Sequence, residues 1–174
     1  MKKLIFSGFG GQGVLTLGQI VATIAMNQGK EVTWIPSYGP EMRGGTANCS
    51  VIISDEPIGS PIVQTGLDIL VALNGPSVDR FVPHVKPGGL IFVNSSIITA
   101  DIARDDVTVV KIDATNIATQ VGSAKVQNMV MLAGFLKATD LFTFDEVKSV
   151  LEQTIGAKKP ELLSMNLAAI EKGM

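Results

Sequence analysis

The amino-acid sequence predicts an α/β protein, and three observations indicate it. Short apolar runs typical of strands alternate with helical patterns along the chain. A glycine-rich stretch, residues 8–13, separates the first apolar run from the first helical pattern. Residues 67–73 are almost continuously apolar, as expected of a strand covered on both faces. Together these features predict a three-layer α/β/α, Rossmann-like sandwich with a mostly parallel (mixed) sheet.

The chain begins with a strand over residues 3–7 and a helix over residues 12–28. The apolar residues of this helix recur at spacings of three and four, which gives it one buried face. That face consists of Val14, Leu17, Val21 and Ile24. Residues 31–35 form the second strand. Such a strand–helix–strand unit predicts that the first two strands are parallel neighbours joined by a right-handed crossover.

The middle of the chain continues this alternation. Residues 46–54 form a strand that turns Ala47, Cys49, Val51 and Ile53 to one side. Residues 89–94 and 107–112 repeat the buried-strand pattern of the central run. The segment Asn74-Gly75-Pro76-Ser77 follows the central run at residues 67–73 and is expected to open a short helix.

The last third of the chain is helical. A first helix covers residues 124–138, and its apolar part is either buried wholly in its own domain or shared with a partner. A second helix runs through residue 154 and starts with a capping box of Thr143 and Glu146. Pro160 begins the last helix. Its expected core stripe is Leu163, Leu167 and Ile170.

Length and composition limit the function classes. The 174 residues suit one domain over 1–174, and a mean hydropathy of +0.36 indicates a large core or an apolar surface for a partner. The net charge of −2 without a basic block argues against nucleic-acid binding. The charged start of the chain is followed by glycines too early for a signal peptide, and no apolar run is long enough to span a membrane. We therefore expect a cytoplasmic protein.

The residue types of redox and hydrolytic sites are few and dispersed. The single cysteine, Cys49, excludes an internal disulfide and an iron–sulfur cluster held by this chain alone. We expect it to be a small buried core residue, and the only histidine, His84, to lie in a turn. The carboxylates show no metal-ligand spacing, so no metal site is expected.

The glycine-rich turn fits the pattern G-x-G-x-x-G between a strand and a helix. Its residues are Gly8, Gly10, Gly11, Gln12 and Gly13. Small residues there allow a tight turn and leave backbone N–H groups free for an anion. A nicotinamide site would also place a carboxylate at the end of the second strand, where this chain has Trp34-Ile35-Pro36-Ser37. Helix–strand packing, with or without a non-dinucleotide anion, is therefore favoured over NAD or FAD.

A second motif follows the second strand, on the face where open α/β sheets place their sites. Its candidate site residues are Tyr38, Gly39, Pro40, Glu41, Arg43, Gly44 and Gly45. The Arg43 guanidinium suits a carboxylate or a phosphate, and Glu41 could orient it. The alternative is an exposed ion pair in a solvated loop.

These two motifs, in this order, resemble the gamma subunit of 2-oxoacid:ferredoxin oxidoreductases, and most closely the 2-oxoglutarate type. The second motif reads Pro-Ser-Tyr-Gly-Pro-Glu-Met-Arg-Gly-Gly-Thr-Ala-Asn-Cys-Ser, and the segment Lys-Val-Gln-Asn-Met at residues 125–129 also looks familial. The resemblance implies a Rossmann-like domain equivalent to domain III of pyruvate:ferredoxin oxidoreductase. It covers residues 2–172.

The resemblance also implies an activity and its partners. Such enzymes oxidatively decarboxylate a 2-oxoacid with coenzyme A, giving an acyl-CoA, CO2 and reduced ferredoxin. Thiamine diphosphate, Mg²⁺, [4Fe–4S] clusters and coenzyme A are expected in the assembled complex through other subunits, with none bound by this chain alone. The expected partners are alpha, beta and ferredoxin-like delta subunits, with ferredoxin as electron acceptor.

Two other functions stay open from the sequence. One is a stand-alone Rossmann-type nucleotide-binding protein that uses the glycine turn. The other is a purely structural assembly subunit. The 2-oxoacid also stays open among 2-oxoglutarate, pyruvate and branched-chain oxoacids. With its partners absent, the isolated chain is expected to be able to form a homodimer through its apolar surface.

Overall fold

The computed structural model describes residues 1–37 and 45–174. Its strands are β1 (Lys2–Phe9), β2 (Glu31–Ser37), β3 (Thr46–Ser54), β4 (Leu67–Ala72), β5 (Val85–Asn94) and β6 (Thr108–Ile112). Its α-helices are α1 (Val14–Asn27), α2 (Gly75–Phe81), α3 (Ala114–Val121), α4 (Gln127–Ala138), α5 (Phe144–Leu151) and α6 (Pro160–Gly173). No helix in this part of the chain is both long enough and apolar enough to cross a bilayer.

The strands form one six-stranded mixed sheet in the order β2-β3-β1-β4-β5-β6. The pairings of β1 with β4, β4 with β5 and β5 with β6 are parallel, while β3 runs antiparallel to both of its neighbours. The predicted α/β fold with a mostly parallel, mixed sheet is confirmed.

The prediction that the first two strands are neighbours is wrong. Strand β3 lies between them and pairs with β1 over its whole length, from Lys2 opposite Ile53 to Phe9 opposite Thr46. The physical reason is the length of the connection between β2 and β3, because its eight residues are too few for the crossover of about a dozen or more that parallel strands need, so β3 runs antiparallel to β2. Strand β3 then offers hydrogen-bonding groups on both edges, so it joins β2 and β1 into the same sheet.

Helix α4 lies at the centre of the main core. Its residues 128–136 are all buried within this chain, which confirms the first of the two readings of this helix. Phe135 packs against Phe6 and Phe92 of the sheet and against Phe142, with ring centroids 5.7 to 6.4 Å apart. The predicted apolar stripe of α1 is buried in the same core. A smaller core on the other face of the sheet includes Phe81 of α2.

Helix α1 approaches the sheet closely because Gly18 carries no side chain. A Cβ atom at Gly18 would overlap the Cys49 sulfur and would lie 3.2 Å from both Phe6 Cδ2 and Trp34 Nε1. Cys49 is fully buried, as predicted, and burial raises the pKa of its thiol to about 12. The other predicted core residues on its side of β3 are buried as well.

The structure differs from the sequence prediction in the C-terminal third and at one edge. Helix α5 ends at Leu151 and continues as a π-turn over Glu152–Gly156, although its capping box is present as predicted. In α6, Ile170 of the predicted core stripe is buried, and Leu163 and Leu167 are partly buried and pack against the main core, while Asn166 and Ala169 are its other buried residues. Strand β6 is an edge strand and is only partly buried, so it lacks the two-sided cover that was predicted.

Candidate functional site

The candidate site lies at the carboxyl edge of the parallel strands. Strand β1 continues into the glycine-rich turn, and β4 is followed by Leu73 and then by Asn74, which caps helix α2. After β1, the chain forms β2 and β3 on one side of β1 and then forms β4, β5 and β6 on its other side. The point between β1 and β4 is therefore the topological switch point, where open α/β sheets form their binding crevice.

The turn after β1 is held by Gln12. Its Oε1 accepts a hydrogen bond from the Phe9 backbone N–H (2.6 Å), and its Nε2 donates to the Leu73 carbonyl (3.3 Å). A Cβ atom at Gly8 would lie 2.7 Å from Gln12 Oε1 and 3.1 Å from Leu73 Cβ, so this position needs glycine. The structure thus brings the predicted residues of the glycine-rich turn together against the end of β4.

Gly13 caps helix α1 without a side chain. Its φ is +76°, a left-handed conformation that glycine adopts without steric cost. The first hydrogen bond of the helix runs from Leu17 N–H to the Gly13 carbonyl (3.0 Å). The backbone N–H groups of the first turn have no acceptor within the helix, and their partial positive charge favours an anion.

The second motif leaves the sheet at the same edge. Ser37 at the end of β2 pairs with Asn48 of β3, and Asn48 pairs with Ser7 of β1. The Gly45 carbonyl accepts a hydrogen bond from Gly10 N–H (3.2 Å), so the far end of the loop meets the glycine-rich turn. The other predicted residues of this motif, Tyr38, Gly39, Pro40, Glu41, Arg43 and Gly44, lie outside the described residues.

Buried amides at this edge were missed by the sequence analysis. Asn94, at the end of β5, donates to Thr115 Oγ1 (2.9 Å) and to Gln127 Oε1 (3.0 Å). Asn128, which follows Gln127 in the chain, donates a hydrogen bond to the Gly13 carbonyl (3.3 Å). The sequence signal is an asparagine directly after an apolar run of residues, at Asn74 and again at Asn94. Such residues end a strand with an uncharged side chain that can both donate and accept.

A groove of about 820 Å³ opens beside the glycine-rich turn. It lies between α1, the π-turn after α5, α6 and the start of α4. Its volume is within the range of small-molecule sites, roughly 300–1,000 Å³. The apolar part of its lining includes Ile20, Val126, Met129, Ile155, Leu162 and Met165. One wall contains the π-turn, and turns of this type are frequent at functional sites.

The charge of this groove is entirely positive. Lys125, Lys158 and Lys159 line it, and no carboxylate does so among the described residues. None of these lysines forms an ion pair within residues 1–37 and 45–174. Gly13 also lines the groove, which adds the positive N-terminus of α1. The groove therefore suits an anionic ligand that also has an apolar arm.

Other chemistry has little support in the described part of the chain. No cluster of three or more His, Cys, Asp or Glu side chains able to hold a metal occurs there. Cys49 is buried with a raised pKa, so it is not an activated nucleophile. His84 is exposed in a short 3₁₀ turn before β5, at the opposite edge of the sheet, which confirms its prediction as a turn residue.

Comparison with known proteins gives a consistent family. Residues 3–174 match the family model described as pyruvate ferredoxin/flavodoxin oxidoreductase. The chain is 42% identical over 173 residues to ketoisovalerate oxidoreductase subunit VorA of Methanothermobacter thermautotrophicus, covering 98% of this chain but 35% of VorA. It is 35% identical to 2-oxoglutarate synthase subunit KorC of Methanocaldococcus jannaschii, covering 99% of this chain and 91% of KorC.

Two solved structures agree with this fold. A keto/oxoacid ferredoxin oxidoreductase gamma subunit from Geobacter sulfurreducens matches with a TM-score of 0.82 and 28% identity, over 99% of this chain and 96% of that one. A 2-oxoglutarate:ferredoxin oxidoreductase from Magnetococcus marinus, with 2-oxoglutarate, coenzyme A and succinyl-CoA bound, matches with a TM-score of 0.88 and 25% identity. That match covers 99% of this chain and 30% of the other. The chain belongs to the pyruvate ferredoxin/flavodoxin oxidoreductase family, and its resemblance to the gamma subunits of 2-oxoacid:ferredoxin oxidoreductases is confirmed.

Proposed function

We propose that this chain is the gamma-type component of a multisubunit 2-oxoacid:ferredoxin oxidoreductase, folded as a single domain over residues 1–174. The complex oxidatively decarboxylates a 2-oxoacid with coenzyme A and passes the electrons to ferredoxin. Membership of the family supports this function. So do the relatives named as subunits of ketoisovalerate oxidoreductase and 2-oxoglutarate synthase.

The chain works in the cytoplasm with alpha, beta and ferredoxin-like delta components, which hold thiamine diphosphate, Mg²⁺ and the [4Fe–4S] clusters. The cysteine content of this chain supports the proposal that other components hold the clusters. Its only cysteine is the buried Cys49, and an iron–sulfur cluster usually needs four thiolates. We propose 2-oxoglutarate as the substrate, on the form of the motif at residues 38–45. Rates with 2-oxoglutarate, pyruvate and 2-oxoisovalerate in the assembled enzyme test this choice.

The role of this component is to present a positive edge to coenzyme A. The observation that carries this proposal is the groove lined by Lys125, Lys158 and Lys159 without a carboxylate among its described residues. Coenzyme A combines several phosphate charges with a long pantetheine arm, and the lysines and the apolar floor suit these two parts. Arg43 and Glu41 belong to the same functional edge in this proposal, with Arg43 facing an anionic group of coenzyme A, the cofactor or a partner subunit.

Titration of the purified chain and the assembled enzyme with coenzyme A tests the groove. Replacing Lys125, Lys158 and Lys159 together with alanine is expected to weaken binding, or raise KM for coenzyme A, by at least about tenfold, since each hydrogen bond to a charged group contributes roughly 1.5–3 kcal/mol. The matched control replaces Lys2, Lys148 and Lys172, which do not line the groove, and so removes the same charge. Equal effects of the two triple variants would contradict the proposal.

Further measurements distinguish the other candidate functions. Tight binding of NAD(H), FAD or ATP to the pure chain would favour a stand-alone nucleotide-binding protein. If a complex that lacks this chain still forms acyl-CoA at the full rate, the chain is a purely structural assembly subunit. For Arg43→Ala, we expect the assembled enzyme to lose turnover while keeping its stability. If that variant weakens assembly instead, the loop serves subunit docking.

A further inference from the structure

The glycine-rich turn is contacted by one buried side chain of a helix that is distant in the sequence. Asn128, in the first turn of α4, donates its Nδ2–H to the Gly13 carbonyl (3.3 Å) and accepts the Met129 N–H at Oδ1 (3.0 Å). The side chain also packs directly on Gly13, because a Cβ atom there would lie 2.8 Å from Asn128 Cγ. Asn128 is 6% exposed, so this contact is made away from bulk water.

The start of α4 is itself anchored to the sheet. Gln127, the neighbour of Asn128, accepts hydrogen bonds at Oε1 from Asn94 Nδ2 (3.0 Å) and from Thr115 Oγ1 (2.9 Å). Asn94 is the last residue of β5 and is fully buried. The neighbouring amides of Gln127 and Asn128 therefore connect the end of β5 with the cap of α1, and hydrogen bonds of this kind restrain the groups they join.

We propose that Asn128 is a positioning residue that holds the first turn of α1 at the mouth of the lysine-lined groove. This inference rests on the proposed function only in naming coenzyme A as the ligand. Gly13, Lys125 and Asn128 all line the groove, so the position of the first turn of α1 at this groove depends on the contact of Asn128 with Gly13. Gln12 fixes the same turn through its hydrogen bond to the Leu73 carbonyl. Two side chains, Gln12 and Asn128, therefore hold the turn.

Hydrogen exchange of the full-length chain tests the positioning directly. In Asn128→Ala and in the nearly isosteric Asn128→Asp, which lacks the donor, the Gln12 and Leu17 amides should exchange about fivefold faster, as expected for the loss of one hydrogen bond of roughly 1 kcal/mol. Asn166→Ala is the matched control. Asn166 is a buried amide in the same groove, but it donates to Leu162 within its own helix.

Kinetics of the assembled enzyme supply the second measurement. Asn128→Ala should raise KM for coenzyme A about fivefold and change kcat less than about twofold, since it disturbs binding geometry and no reacting group. Asn116→Ala, an exposed amide outside the groove, should change neither constant. An unchanged KM for Asn128→Ala, in a complex whose wild type uses coenzyme A, would overturn the positioning role.

The two proposals can fail separately. If exchange at Gln12 and Leu17 is unchanged, or rises equally in the Asn166→Ala control, the positioning inference is overturned whatever the ligand is. If exchange changes as expected but the wild-type enzyme does not use coenzyme A, the proposed function fails while Asn128 retains its hold on the turn.

Discussion

Replacing Gly18 with alanine tests how closely α1 must approach the sheet. The added Cβ atom would overlap the Cys49 sulfur and stand 3.2 Å from both Phe6 Cδ2 and Trp34 Nε1. Overpacking of a tight core usually costs about 1–3 kcal/mol. The higher helix propensity of alanine offsets part of this cost, because alanine is more favourable than glycine in a helix by about 1 kcal/mol. We expect a net loss in the free energy of unfolding of about 1 kcal/mol, or about 2–4 °C in Tm for a chain of this size.

A double-mutant cycle identifies the cause of that loss. Cys49→Ala alone removes the nearest atom and leaves a small cavity, which also lowers stability. The methyl group of Gly18→Ala fills part of that cavity, so the double variant should be more stable than the sum of the single effects by at least about 0.5 kcal/mol, the usual size of coupling between contacting residues.

Urea unfolding of the full chain, followed by circular dichroism, measures these free energies. Gly75→Ala is the control, because a Cβ atom at Gly75 meets no atom within 4 Å and its φ is not positive. We expect that variant to stay within about 0.5 kcal/mol of the wild type. If Gly18→Ala stabilises the chain, or if it shows no coupling with Cys49→Ala, the close approach of α1 is not what requires glycine here.

Further predictions concern one thiol and one helix cap. Because burial raises the pKa of Cys49 to about 12, the native thiol should resist alkylation that is rapid in urea. Its folded pKa lies above its unfolded value, so stability should fall as the pH rises above about 9, and Cys49→Ala should reduce that fall. Thr143→Ala should cost about 1 kcal/mol in urea unfolding by removing the cap of α5, whereas the exposed Thr46→Ala should not. Hydrogen bonds from the Thr143 backbone N–H and the Gln28 side chain lower the pKa of Glu146, so stability should fall as carboxylates protonate in acid. An acid-unfolding profile unchanged by Glu146→Ala would contradict this contribution.

Sequence patterns were most informative where one local feature determines structure. The 3.6-residue repeat of α1, the alternation of β3 and the capping box of α5 each depend on neighbours a few residues away, and each was confirmed. Helix α3 was not predicted, because it has only eight residues, and of its apolar residues Ala114, Ile117, Ala118 and Val121 only the two alanines are buried. The second motif also identified a family through its order of residues, and this family was confirmed.

Long-range pairing could not be predicted in the same way. No local sequence pattern in β2 or β3 predicts that β3 lies next to β1, because the hydrogen bonds between strands are made by backbone groups that every sequence has. The groove is a comparable case. Lys125 is separated from the adjacent pair Lys158 and Lys159 by more than thirty residues along the chain, and the three line one groove only because the starts of α4 and α6 border it together.

By itself, the sequence determined the α/β class, the position of the glycine-rich turn, the buried state of Cys49 and the family. It did so because periodicity, glycine and a short motif act over a few residues. Only the tertiary structure decided the strand order, the contact of Asn128 with Gly13 and the gathering of the three lysines. These features join residues far apart in the chain, and their energies come from packing and hydrogen bonds that exist only when the whole sheet and its helices have formed.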